Sequence, residues 1–503
     1  MRFQIFLLAL FLGLCLGASQ IQAQKPNVLL ILVDDLKPNI GAYGDSIAVS
    51  PNLDQLAADG IRFDQAFCNQ AVCGPSRYNL MLGARSTSTG LYSFGAQFRD
   101  VYPEAVTLPQ HFMRNGYHTE SMGKVFHIGH GNVNDNASWS IPHHPEKVIE
   151  YILPASTNRQ LTREEAFFEN SRKYIPNLPP NKKLPKGAAW EMADVLDEAY
   201  ADGRVARHAI DRLRALSKQD QPFFMALGFA RPHLPFCVPK QYWDLYDPEQ
   251  LPMPEFVEAP AGAPAFAVKR NGEITQFTPL PDHVDGPYPD SLTRKLIHGY
   301  YASLSYMDAQ LGKVMQELKR LQLDENTIIV LWGDHGWHLG DHGSWTKHTN
   351  YEQATRIPLI MVAPGITKAG SHSGQPAETV DIYPTLAALA GLPQPAGPQP
   401  IDGADLTPVL KNPETRVRDH AYHCYPKRPN GSFKVGQAIR SDRYRLVAWT
   451  DPAQPQTDVI YELYDLLEDP LETQNIADTD QATLSEMKKI LATHPTPLPK
   501  AKK

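Results

Sequence analysis

Cys73-Gly74-Pro75-Ser76-Arg77 packs a thiol, a proline, a hydroxyl and a guanidinium into one short block. The cysteine is an oxidisable sulfur and a latent nucleophile, and the arginine is a permanent cation suited to an anionic group. Two further blocks, Asp34-Asp35 and Asp334-His335, are rich in hard oxygen ligands of the kind that hold Ca²⁺ or Mg²⁺. A lone Asp-Asp pair is commonly a strand-end cap or a solvated turn; the repetition of the pattern is what favours a metal site. Arg77, Lys124 and Lys347 supply cations, with His127 and His233 nearby in the pattern. Singly, such lysines are usually solvated and such histidines structural. Together the set offers a hard-cation site with local positive charge for an anionic ligand.

Each block follows a run that reads as a buried strand. Pro26 to Val33 is apolar apart from Asn27 and stops at Asp34-Asp35; Thr327 to Trp332 runs into Gly333-Asp334-His335-Gly336. Phe223 to Ala230 leads to Arg231-Pro232-His233, and Thr119 to Met122 to Gly123-Lys124. Apolar runs without alternation predict strands covered on both faces. Pro358 to Ala363 predicts a further central strand. Reactive groups at the carboxyl ends of such strands describe an α/β sheet with its ligand beyond those ends. Leu292, Leu296, Tyr300, Leu304, Met307, Leu311, Met315 and Leu318 recur at helical spacing and predict a core-facing helix. Pro75 suits a first helical turn, which would set Cys73 just before a helix N-terminus, where negative charge is favoured.

Residues 132–185 and 251–290 are rich in Pro, Asn and charge, and are expected to be surface excursions, either plain connections or walls of a substrate cleft. Beyond about residue 415 short strand-like pieces, Gln437 to Arg440, Tyr444 to Ala448 and Tyr461 to Leu466, precede a helix near Gln481 to Ala492. The expected organisation is therefore a signal peptide (1–23), a catalytic domain (24–414) and a smaller C-terminal α+β subdomain (415–503).

The chain of 503 residues exceeds what one core usually serves. Its net charge of −7 argues against a general nucleic-acid or acidic-membrane binder. Arg2, the apolar stretch Ile5 to Leu16 and small residues up to Ala23 read as a secretory signal too short to span a membrane. The environment of Cys15 lacks the pattern of a lipid anchor, so the mature chain is expected to be periplasmic or secreted. Cys68, Cys237 and Cys424 are read as buried small hydrophobes, with one disulfide among them left open.

The motifs from Asp34-Asp35 to Asp469-Pro470-Leu471-Glu472 resemble those of type I sulfatases in the alkaline phosphatase superfamily, whose modification signature is C-x-P-S-R. Gly123-Lys124-Val125-Phe126-His127, Arg231-Pro232-His233-Leu234-Pro235-Phe236 and Trp332-Gly333-Asp334-His335-Gly336-Trp337, continuing to Lys347-His348, are closest to the iduronate-2-sulfatase branch, where histidine follows the third metal aspartate. Val380 to Leu386 and Glu462 to Leu466 resemble two more family blocks. One departure stands at Met81-Leu82-Gly83-Ala84-Arg85: the family's usual threonine is Leu82, and its arginine falls one place later.

The resemblance implies an alkaline-phosphatase-like, mostly parallel sheet flanked by helices. It implies that a maturation enzyme converts Cys73 to formylglycine (3-oxoalanine), whose hydrate attacks sulfur with one hydroxyl and expels sulfate with the other. It assigns one Ca²⁺ to Asp34, Asp35, Cys73, Asp334 and His335. Arg77, Lys124 and His127 would orient the nucleophile; His233 and Lys347 would bind sulfate, with His233 as proton donor. Trp337 and His338 are candidate sugar contacts, with core packing an equal alternative for Trp337. The expected substrate is a sulfated saccharide, best a 2-O-sulfated uronate of a glycosaminoglycan or an algal polysaccharide. Alternatives are a phosphomonoester or phosphonate hydrolase on the same fold, and a non-catalytic sulfated-glycan binder.

Overall fold

The computed structural model describes residues 25–283 and 286–501; the expected signal segment lies outside them. Seven strands form the central sheet: β1 (Asn27–Val33), β2 (Ile61–Phe63), β3 (His118–Gly123), β4 (Phe223–Phe229), β5 (Thr327–Gly333), β6 (Leu359–Val362) and β7 (Ser371–Ser373). Their order is β7-β2-β6-β5-β1-β4-β3. β3, β4, β1 and β5 run parallel, so their carboxyl ends share one edge. β6 is antiparallel to both neighbours and sends no carboxyl end there.

The apolar run of β1 follows from its position. Val28, Leu30 and Leu32 enter the core on one face, and Leu29, Ile31 and Val33 enter the core on the other. Side chains alternate across a strand, so a strand covered twice has no polar positions. Each such side chain is worth about 1.5–3 kcal/mol on burial. The first face is covered by α1 (Cys73–Leu82), through Tyr78, Leu80, Met81 and Leu82. The second is covered by α2 (Ala201–Leu216) and the long α3 (Asp290–Arg320). The helical stripe expected from sequence is the buried side of α3, with Leu292 and Met315 at its half-buried margin. The fold is α/β, mixed and mostly parallel.

A second, four-stranded antiparallel sheet follows: β8 (His420–Lys427), β9 (Lys434–Ser441), β10 (Tyr444–Thr450) and β11 (Ile460–Asp465), with α4 (Gln481–Leu491) packed on it. The sequence pattern points to the last three strands but not to β8. Its Ala-Tyr-His-Cys-Tyr run does not alternate because both faces are covered: Tyr422 and Cys424 are buried on one face, and Ala421 and His423 on the other. Cys68, Cys73, Cys237 and Cys424 are all free and buried. No helix among the described residues is long and apolar enough to cross a membrane.

Glu352 ties this sheet to the segment after Lys347. Arg440 Nε lies 3.1 Å from its carboxylate, and the fully buried Arg445 pairs with the same group. Burial pushes the Glu352 carboxyl up, but Arg440 and Arg445 outweigh it and hold it at about 2, against an ordinary 4.5. A folded value below the unfolded one gives stability that is full above pH 4.5 and lost as pH falls towards 2. Glu352→Gln is expected to cost about 3 kcal/mol at pH 7 and to flatten the acid limb in that window. Urea titrations across pH measure both; an unaltered acid limb would refute the assignment.

Candidate active site

The register of the parallel strands gathers the motif residues. Val33 of β1 pairs with Gly333 of β5 and Phe229 of β4, and Gly123 of β3 pairs with Gly228. Asp34-Asp35, Asp334-His335, Lys124 and the Arg231–His233 turn therefore leave the sheet side by side. Asp35 takes a left-handed backbone (φ 58°), uncommon for a residue with a side chain. Its peptide is held by the Tyr300 hydroxyl, which donates to Asp35 O at 2.8 Å, and by Asp35 N, which donates to Asp334 Oδ1 at 3.1 Å. Gly123 (φ 70°) turns the chain towards Lys124, and a Cβ there would lie 2.0 Å from Gly228 O, so no larger residue fits. Asp202 of α2 accepts from the amides of Ala230 and Arg231, both at 2.8 Å, and anchors the His233 turn.

Cys73 is the first residue of α1, with Val72 as its cap, rather than lying just ahead of the helix. Its Sγ is 3.3 Å from His335 Nε2. Burial, then Asp34, pushes the thiol well above its usual range despite Lys124 and Lys347. A protonated thiol is a poor nucleophile.

Ligand atoms of Asp34, Asp35, Cys73 and His335 all lie within 4.8 Å of one another and are buried. Asp34 Oδ1 and Asp35 Oδ1 have charged neighbours at 3.1–3.5 Å but no aligned hydrogen bond. Burial lowers His335 to about 4, leaving the neutral imidazole that a metal requires. Asp334 adjoins the group: its Oδ1 is 3.5 Å from His335 Nε2 and its Oδ2 is 3.0 Å from Arg77. Burial, then Asp34, pushes Asp334 up to about 7. Crowded carboxylates with unspent lone pairs fit a hard divalent cation.

Cations surround this group. Arg77 is fully buried, pairs with Asp334 and Asp34, and donates to the carbonyls of Lys124 and Val125. Lys124 pairs with Asp34, and Lys347 Nζ lies 3.1 Å from Asp35 Oδ1. His127 Nε2 is 3.2 Å from His130 Nδ1, and its ring stacks on Phe94 at 4.6 Å. His233 contacts the Leu234 carbonyl through Nδ1, and its Nε2 is 2.8 Å from Glu273. A pocket of about 420 Å³ opens over Cys73, His127, His233, Glu273, Lys347 and Lys269. Its walls also include Glu164 and Lys182 from one expected surface excursion and Gly272, Glu273, Thr275 and Gln276 from the other.

Trp337 and His338 do not line this pocket. Trp337 belongs to the hydrophobic core, 4.9 Å beneath Lys347 Nζ, and His338 is fully buried with Nε2 2.8 Å from Thr349 Oγ1. For Trp337 this is the core-packing alternative, and both side chains lie under the Lys347 loop. Arg85, displaced by one place in the family motif, pairs with Glu378 through two nitrogens at 2.8 and 2.9 Å.

Residues 26–392 match the Sulfatase family model, and residues 340–495 match the model described as N-sulphoglucosamine sulphohydrolase, C-terminal. The chain belongs to the sulfatase family. It is 34% identical to iduronate 2-sulfatase of Homo sapiens, over 94% of this chain and 96% of the human one. Its fold matches that of BT4656, solved with its substrate D-glucosamine-2-N,6-O-disulfate, at TM-score 0.70 and 21% identity, covering 93% and 97% of the two chains. It matches equally the phosphonate monoester hydrolase of Agrobacterium radiobacter, at TM-score 0.70 and 24% identity, over 93% and 95%. The sulfatase is thus a sulfuric ester hydrolase near the iduronate-2-sulfatase branch. Sequence reasoning missed Glu273, Lys269, Lys427 and His130 in and around its pocket. They lie in loops or at strand ends without periodicity, and only their three-dimensional placement marks them.

Proposed function

We propose that this sulfatase removes sulfate from a 2-O-sulfated uronate of a polyanionic saccharide. The observation that carries this reading is a second basic patch beside the sulfate pocket. Lys269 lines the pocket over Cys73 and also the adjoining cleft that holds Lys427, Arg428 and Lys500. Neither Lys269 nor Lys427 pairs with a carboxylate within salt-bridge distance among the described residues; Lys269 Nζ contacts His348 at 2.6 Å. Burial holds Lys269 at about 8 and Lys427 at about 7. Half-dry lysines outside any salt bridge favour an anionic ligand, and a uronate presents a carboxylate on the same ring as its sulfate. Residues 24–414 serve as the catalytic domain and residues 415–503 as the subdomain that brings Lys427 to the rim.

In this reading Asp34, Asp35, Asp334, His335 and the side chain at position 73 would hold Ca²⁺, which would supply positive charge to offset that of the sulfate. Conversion of Cys73 to formylglycine by a maturation enzyme supplies a hydrate oxygen as nucleophile. Lys347 binds the sulfate, and His233 gives a proton from Nε2 to the leaving alcohol. Lys124 and Arg77 fix Asp34 and Asp334 so that the anionic centre keeps its geometry. His127, lowered by burial and then by Lys124, is a neutral imidazole available to accept a proton. Loss of residues 1–23 delivers the enzyme to the periplasm or exterior.

Turnover of a 2-O-sulfated uronate disaccharide, its decarboxylated analogue and the matching phosphate ester tests the substrate. The sulfated uronate is expected to lead by at least about 100-fold in kcat/KM, two good ion contacts being worth about 3 kcal/mol. Equal turnover of the decarboxylated analogue would sink the uronate assignment. Chelation is expected to abolish activity and lower Tm, with Ca²⁺ restoring both; a Tm indifferent to Ca²⁺ would contradict the metal set.

A further inference from the structure

Glu273 stands where the reaction needs another anion. Its Oε1 lies 2.8 Å from His233 Nε2, and its Oε2 lies 2.6 Å from Lys347 Nζ. Those two nitrogens are the ones assigned above to the sulfate ester. A carboxylate bridging them covers the position of the sulfate oxygens, so both cannot be seated at once.

The backbone that carries Glu273 has no room to retreat. The short turn Glu273–Gln276 is pinned by Ile274 and Phe277, both in the hydrophobic core, and the Thr275 hydroxyl donates to Gly272 O at 2.7 Å. The side chain itself can swing about its own bonds. Motion is thus confined to that one carboxylate.

We infer that Glu273 is a tethered competitor for the sulfate site, which keeps affinity for free sulfate low and clears the product after each turnover. The inference rests on the reading of His233 and Lys347 as sulfate ligands. A group fixed to the pocket wall acts at an effective concentration of millimolar or above without any diffusion step. Free sulfate has only the contacts that Glu273 can replace. A sulfated saccharide adds contacts of its own, including the Lys269–Lys427 patch, and so displaces the carboxylate despite the same penalty. Hydrolysis divides those contacts between two products, and Glu273 then outcompetes the inorganic one.

The test is calorimetric titration of sodium sulfate into the full, Ca²⁺-loaded wild-type chain and its Glu273→Gln, Glu273→Ala and Lys347→Ala variants, with KM and kcat measured on the sulfated disaccharide. Both Glu273 variants are expected to bind sulfate about tenfold tighter and to show KM lowered by a similar factor. Glu273→Gln keeps the shape of the side chain and secures the test if Glu273→Ala fails to fold. Unchanged or weaker sulfate binding in Glu273→Gln, alongside loss of binding in Lys347→Ala, would overturn the competitor while leaving the site intact. A raised KM at unaltered sulfate affinity would overturn it too, because Glu273 would then be a sugar ligand. Wild-type sulfate affinity in Lys347→Ala would overturn the site assignment and the competitor with it.

Discussion

Cys73→Ala is expected to reduce turnover of sulfate esters by at least about 10⁴-fold, the scale on which an essential nucleophile is lost. Cys73 is buried at the start of α1, against His335, and removing its sulfur leaves only a small void. Stability should therefore change by about 1 kcal/mol or less. The variant keeps Asp34, Asp35, Asp334 and His335, so Ca²⁺ should still raise its Tm. The companion measurement is mass spectrometry of the peptide spanning Cys73 from a host with a maturation enzyme. Formylglycine replaces sulfur and two hydrogens by one oxygen, and that mass difference should track activity from one preparation to the next. Full activity with an unconverted thiol would refute the assigned chemistry, since burial and Asp34 keep that thiol protonated. Cys73→Ser separates the two hydroxyls of the hydrate. It should take up sulfate once at most and then stall, because a serine ester has no second hydroxyl on the same carbon.

The centre of this site was legible in the sequence, and its rim was not. Asp34-Asp35 and Asp334 stand at the ends of strands so apolar that their burial and direction follow from the run alone. Parallel register then places them together. His233 follows the same logic on β4, whereas β3 (His-Thr-Glu-Ser-Met-Gly) has no apolar run, and Lys124 is marked by the Gly123–His127 family block instead. Glu273 and Lys269 belong to a proline-rich excursion whose path depends on packing of Ile274 and Phe277 into a core built from residues distant in sequence. Local composition carries no record of that path. For Trp337 the sequence left sugar contact and core packing as equal alternatives, and its large apolar ring is buried beneath Lys347. In β8, coverage on both faces erased the alternation that would have revealed the strand.

Arg77 is where stability and catalysis should fail together. Its guanidinium is fully buried, with Nη2 3.0 Å from Asp334 Oδ2 and 3.5 Å from Asp34 Oδ1, and it also donates to two backbone carbonyls. Arg77→Ala leaves two carboxylates and two carbonyls without that partner, an expected loss of about 3–5 kcal/mol. Arg77→Lys keeps the charge but offers a single nitrogen where the planar fork reaches several groups. That variant should fold, with activity lower by about 10²–10³-fold. Chemical denaturation with and without Ca²⁺ then distinguishes charge compensation from packing. Ca²⁺ and Arg77 neutralise the same carboxylates, so the destabilisation of Arg77→Ala should shrink when Ca²⁺ is saturating. A loss independent of Ca²⁺ would mean that Arg77 acts through its contacts with the Lys124 and Val125 carbonyls, and that the anionic centre does not need its charge.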